Sequence, residues 1–85
     1  MEKIVLFHKN NCVQCKMTMN LLNQAGIKYD EINIDDQPEY AEILKSEGYH
    51  AAPVVKVFGK DGVIKNSWTG FRIDEVRNYI SAVSA

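Results

Sequence analysis

The sequence predicts an α/β fold: a four-stranded mixed sheet flanked by three helices, in the order βαβαββα. Three observations predict it. Short apolar runs, such as Ile4-Val5-Leu6-Phe7, alternate with stretches whose apolar residues recur every three or four positions. The first strand, helix and strand are joined by short links, which makes them a βαβ unit with parallel strands and a right-handed crossover. Gly59-Lys60-Asp61-Gly62 separates two strand-like runs and closes a hairpin.

The elements follow in order. Lys3 to Phe7 reads as a strand buried on both faces, because its apolar run is continuous rather than alternating. Lys9-Asn10-Asn11 is a polar loop. Val13 to Ala25 is a helix, with Val13, Met17, Leu21 and Ala25 recurring every four residues and Leu22 widening the inner stripe. Met17 and Met19 are expected to pack that helix, and Gly26 ends it. Ile27 to Ile34 is the second strand. Asp35-Asp36-Gln37-Pro38 opens the second helix, where acids and a proline near the start are favourable. Its buried side carries Tyr40, Ile43 and Leu44, and Gly48 stops it. Pro53 abuts the strand Val54 to Phe58 and cannot donate to a sheet; a cis peptide turning the chain before the strand is one solution. Val63 to Trp68 completes the hairpin. After the loop Thr69 to Arg72, the last helix runs from Arg72 or Ile73 to Val83 on Val76, Tyr79, Ile80 and Val83.

Eighty-five residues make one small domain, residues 1–85. A formal net charge of −1 gives no footprint for nucleic acid. No apolar stretch approaches the ~20 residues that cross a bilayer, so no membrane partner is expected. The N-terminal apolar run is too short for a signal peptide, and a cytoplasmic location follows as the default. There a dithiol is more often catalytic than structural. The chain is expected to act as a monomer.

The chemistry centres on Cys12 and Cys15, the only two cysteines, placed between the first strand and its helix. Free N–H groups and the positive end of the helix dipole meet at a helix start and stabilise a thiolate, lowering its pKa from roughly 8.5 toward 7. Cys12 is expected at the cap, facing solvent, as the nucleophile. Cys15, about one turn later and deeper, is expected to resolve the mixed disulfide. A structural disulfide competes, but so short a loop removes little chain entropy. A zinc site would need His8 and His50 to join the cysteines, and the short spacing of a second ligand pair is missing. The expectation is no metal, with His8 a strand-end residue and His50 a loop residue. Asp35 and Asp36 read as helix-start acids rather than metal ligands.

The order βαβαββα, with Cys-x-x-Cys at the first helix and a proline before the third strand, resembles the thioredoxin-like fold in its minimal, glutaredoxin-sized form. Within that fold the chain resembles the NrdH-redoxins, through Cys12-Val13-Gln14-Cys15 and Trp68-Thr69-Gly70-Phe71-Arg72. The resemblance implies a thiol–disulfide oxidoreductase acting as an electron carrier. Thioredoxin reductase would reduce it, and it would reduce a ribonucleotide reductase of the aerobic bacterial kind. No cofactor would be bound beyond the redox-active Cys12–Cys15 disulfide, since NADPH and FAD belong to the reductase. Pro53 would be cis and face the dithiol, with the Ala52 backbone holding a substrate segment. Val13, Gln14 and Trp68 to Arg72 would meet the partner, although core packing is an equal reading for Trp68. Two departures are Ala51-Ala52, where the family usually has a bulkier residue before the proline, and Ile73, where it often has proline. A glutathione-dependent glutaredoxin is the alternative. Against it, Phe71-Arg72 stand where a second glycine and an aspartate would bind glutathione, and Cys-Pro-Tyr-Cys is absent. A redox- or zinc-responsive binding module without turnover is the second alternative.

Overall fold

The computed structural model describes residues 2–84 and contains β1 (Lys3–His8), α1 (Val13–Gln24), β2 (Asp30–Asn33), α2 (Pro38–Ser46), β3 (Val54–Phe58), β4 (Ile64–Thr69) and α3 (Ile73–Ser84). The strands form one sheet in the order β2-β1-β3-β4. β1 pairs in parallel with β2, as a βαβ unit requires, and antiparallel with β3, which pairs antiparallel with β4. Leu6 lies opposite Val55, which in turn lies opposite Trp68.

Alternation along the strands divides the core in two. Ile4, Leu6, Val55, Val57 and Trp68 pack with Leu22 of α1 and Val76 of α3 on one face. Val5, Phe7 and Val54 pack with Leu44 of α2 on the other, joined by Ile32, Tyr40 and Tyr49. β1 therefore buries both its faces, as its unbroken apolar run predicts. Lys56 sits within the second face. Its Nζ lies 5.5 Å from the centroids of both the Phe7 and Tyr49 rings and 2.6 Å from Glu47 Oε1, while the Tyr49 hydroxyl donates to Ser67 Oγ at 2.8 Å.

Several elements differ from the sequence reading. The inner face of α1 is Cys15, Thr18 and Leu22, not the stripe beginning at Val13 and Met17, so the helix is turned by roughly a third of a revolution. Val13 is 71% exposed. The cause is the disulfide end: α1 must face Cys15 inward, and Thr18 tolerates burial because its hydroxyl donates to the Gln14 carbonyl at 2.9 Å. β2 begins only at Asp30, because the chain first leaves α1 through Gly26 at φ 71°, with the Ile27 N–H bonded to the Leu22 carbonyl. Ile43 and Val83 are exposed, so the buried side of α2 rests on Leu44 and that of α3 on Val76. Asp35 and Asp36 do not cap α2; Gln37 stands at its start without a side-chain cap, and Pro38 opens the first turn. Among the described residues no helix is long and apolar enough to cross a membrane.

Candidate active site

β1 delivers the chain to the loop Lys9–Asn11, and this loop is pinned from outside. The Asn10 N–H donates to Asp35 Oδ2 at 2.8 Å, and Asn33 Nδ2 donates to Asn10 Oδ1 at 3.0 Å. Asn33 Oδ1 accepts the Asp35 and Asp36 N–H groups at 2.9 and 3.3 Å. The β2–α2 junction thus holds the entry to the site. Asn11 takes the left-handed conformation at φ 56°, which asparagine tolerates better than most residues. Cys12 then adopts an extended backbone as the N-cap of α1, and its Sγ accepts the Cys15 N–H at 3.1 Å.

Cys12 and Cys15 form a disulfide with Cα atoms 5.2 Å apart. Cys12 is 8% exposed and Cys15 1%. The expected ranking of outer and inner sulfur stands, but Cys12 does not face solvent openly. Its sulfur is turned back onto the helix end, where it bonds Cys15 and accepts a backbone N–H. On reduction that N–H and the helix dipole are already aimed at Sγ, the arrangement that favours a thiolate.

The Ala52–Pro53 peptide is cis, and Pro53 is buried. The Pro53 carbonyl accepts the Gly70 N–H at 2.9 Å, which ties the proline loop to the distal loop. Among the described residues no main-chain hydrogen bond is made to Ala52, which leaves its backbone open for an extended segment. Gln14 joins the third side: its Oε1 accepts the Phe71 N–H at 2.8 Å. Gly70 has φ 77°, a conformation that favours glycine, and a Cβ there would stand 3.1 Å from Gln14 Oε1, so that side chain would have to give way.

The distal residues divide. Trp68 is 5% exposed and belongs to the core under α1 and α3. A partner cannot reach an indole so enclosed, which corrects the partner-facing expectation for it. Thr69 is half-buried at the end of β4, opposite Val54, and Phe71 is half-buried on the loop. Arg72 turns to Asp74, with Nε–Oδ1 at 3.2 Å and Nη2–Oδ2 at 2.9 Å. The Arg72 guanidinium beside Asp74 holds its carboxyl below the usual range, and the same pair raises Arg72. Val13 stands exposed beside Cys12.

His8 shares a recess with Cys15, whereas His50 lines a different one that holds neither cysteine. Among the described residues no group of three or more His, Cys, Asp or Glu side chains could hold a metal ion, so the zinc alternative is not assembled. Sequence reasoning missed Asn10, Asn33 and Asp35 as the brace of the site. The turn-forming composition of that loop was the available signal, but its partner lies more than twenty residues away.

A glutaredoxin family model matches residues 4–61. The glutaredoxin-like protein NrdH of Lactococcus lactis subsp. lactis is 42% identical over 73 residues, covering 86% of this chain and 93% of the relative. The protein of the same name from Escherichia coli K12 is 36% identical over 74 residues, covering 87% and 84%. The solved structure of NrdH-redoxin from Escherichia coli superposes with a TM-score of 0.75 at 36% identity, covering 89% of this chain and 92% of the other. That structure is described as the basis for a thioredoxin-like activity profile in a glutaredoxin-like protein.

Proposed function

The chain belongs to the glutaredoxin family and within it to the NrdH-type glutaredoxin-like proteins, and from that membership we propose that it is an electron donor to ribonucleotide reductase, recycled by thioredoxin reductase. As a thiol–disulfide oxidoreductase it works through the Cys12–Cys15 pair. The Cys12 thiolate attacks the partner disulfide and forms a mixed disulfide. Cys15 then attacks Cys12 Sγ, and the partner leaves with both electrons. The reductase, carrying its own FAD and fed by NADPH, returns the pair to the dithiol. The partner segment lies extended along Ala52 and Pro53, against Val13, Thr69, Gly70 and Phe71. Residues 1–85 act as one unit, as a monomer in the cytoplasm, where a dithiol stays reduced and available.

One observation carries this reading over a glutathione-dependent one. The distal loop is committed to the protein itself: Phe71 is bonded to Gln14, and Arg72 is paired with Asp74. A tripeptide would have to compete with the Asp74 carboxylate for the arginine. The thioredoxin-like activity profile of the Escherichia coli relative supports the same direction. The test is NADPH oxidation coupled to reduction of the Cys12–Cys15 disulfide, run with thioredoxin reductase and then with glutathione and glutathione reductase. Brisk turnover with the first and little with the second is expected. The reverse pattern overturns the proposal and makes the chain a glutathione-dependent glutaredoxin.

A further inference from the structure

His8 is the last residue of β1, and two independent observations turn it toward Cys15. Strand alternation puts it on the same face as Ile4 and Leu6, the face covered by α1. The inward side of α1 at that level is Cys15. In addition, His8, Lys9, Cys15, Lys16, Met19 and Asn33 line one recess of about 560 Å³, ample for water. The His8 side chain is only 14% exposed, and its Nε2 stands 3.3 Å from Glu31 Oε1 of β2. Nε2 is thus the ring nitrogen beside the carboxylate, and Nδ1 is the one away from it.

We infer that His8, oriented by Glu31, is the proton acceptor that converts Cys15 to its thiolate when the mixed disulfide is resolved, an inference that rests on the dithiol reading above. The step needs such a group, because a thiol as buried as Cys15 resists ionisation. The Cys15 proton passes to His8 Nδ1 through water in the recess. The freed Sγ electron pair forms the bond to Cys12 Sγ, the Cys12–partner S–S bond breaks, and its pair leaves on the partner sulfur. The dithiol is oxidised by two electrons and the partner disulfide is reduced by two. When the reductase restores the dithiol, His8 returns the proton. The charged groups facing His8 are Glu31 from β2, Lys9 from the loop and Lys16 from α1, and the two lysines are exposed and screened.

The test uses the full-length reduced protein and an aromatic disulfide, 5,5′-dithiobis(2-nitrobenzoate), which releases one coloured thiolate per step. The first release reports attack by Cys12 and the second reports resolution by Cys15. In His8→Gln the ratio of second- to first-phase rate should fall about a hundred-fold near neutral pH, the lower end of what a positioned base contributes, and recover at about pH 10, where solvent ionises the thiol. The acid limb of the second phase should also vanish. Glu31→Gln, which leaves His8 in place, should lower the same ratio by less. A ratio unchanged in His8→Gln, or lowered equally at every pH, overturns the inference. A missing first phase would instead overturn the dithiol function itself.

Discussion

The Gln14 side chain reaches across 57 residues of sequence to accept the Phe71 N–H at 2.8 Å, and so locks the helix that carries the dithiol to the loop that precedes α3. Removing this link tests whether the distal loop serves the partner. Gln14→Ala should lower stability by about 1 kcal/mol, the usual worth of one hydrogen bond. It should raise KM for thioredoxin reductase several-fold with less change in kcat. An unchanged KM would detach the loop from partner binding.

Gly70→Ala should cost about 1–2 kcal/mol, since the left-handed conformation penalises a side chain by that amount. The added methyl should also displace Gln14. Chemical denaturation of both single variants and the double variant should show non-additive losses, because the two changes disrupt one contact.

The cap geometry assigns the first attack to Cys12. Iodoacetamide should modify Cys12 in the reduced protein much faster than Cys15. Cys15→Ser should trap a mixed disulfide with the partner, whereas Cys12→Ser should not. Equal labelling, or trapping through Cys15, would reverse the assignment.

Trp68 belongs to folding. Trp68→Ala should cost about 3–5 kcal/mol, the range for a large aromatic deleted from a core. Among the described residues its buried Nε1 has no partner, so Trp68→Phe removes an unsatisfied donor and should cost far less. Phe71→Ala, on a half-buried loop residue, should affect the reductase step more than the melting temperature. If Trp68→Ala melts like the wild type, the core placement is wrong.

The Arg72–Asp74 pair gives a signed pH effect. The Asp74 carboxyl, lowered chiefly by its hydrogen bond to Arg72, should titrate below its ordinary value of 3.8. A lowered folded pKa means that the pair's contribution is complete above the ordinary carboxylate value and is lost as pH falls through the lowered one. Carboxyl NMR titration reads this directly, and Arg72→Gln should move Asp74 back toward 3.8. An unshifted Asp74 in the wild type would mean that Arg72 is free.

The element order and the dithiol at a helix start were legible from local pattern, because strand runs, turn glycines and the Cys-x-x-Cys spacing are local signals. The face of α1 was not. Val13 and Met17 look like core residues, yet they are exposed, while Thr18 is fully buried. The disulfide fixes the rotation of that helix, and its hydroxyl satisfies itself on the helix backbone, which periodicity of apolar residues does not register. Asp35 looked like a helix-start acid because acids are common there, but its carboxylate is used on Asn10. Such long-range side-chain bonds leave no trace in spacing.

The sheet order leaves β2 and β4 each with one unpaired margin. Unpaired strand margins are templates for another chain, including a second copy of the same one. β2 offers only four residues, beginning Asp30-Glu31. β4 is longer, but Lys65 lies in its exposed stretch and is anchored to Glu2, and the register against β3 slips between Val57 and Phe58. Short length, charge and a slipped register are the features that discourage strand addition, so the margins of this sheet favour a chain that remains free to diffuse.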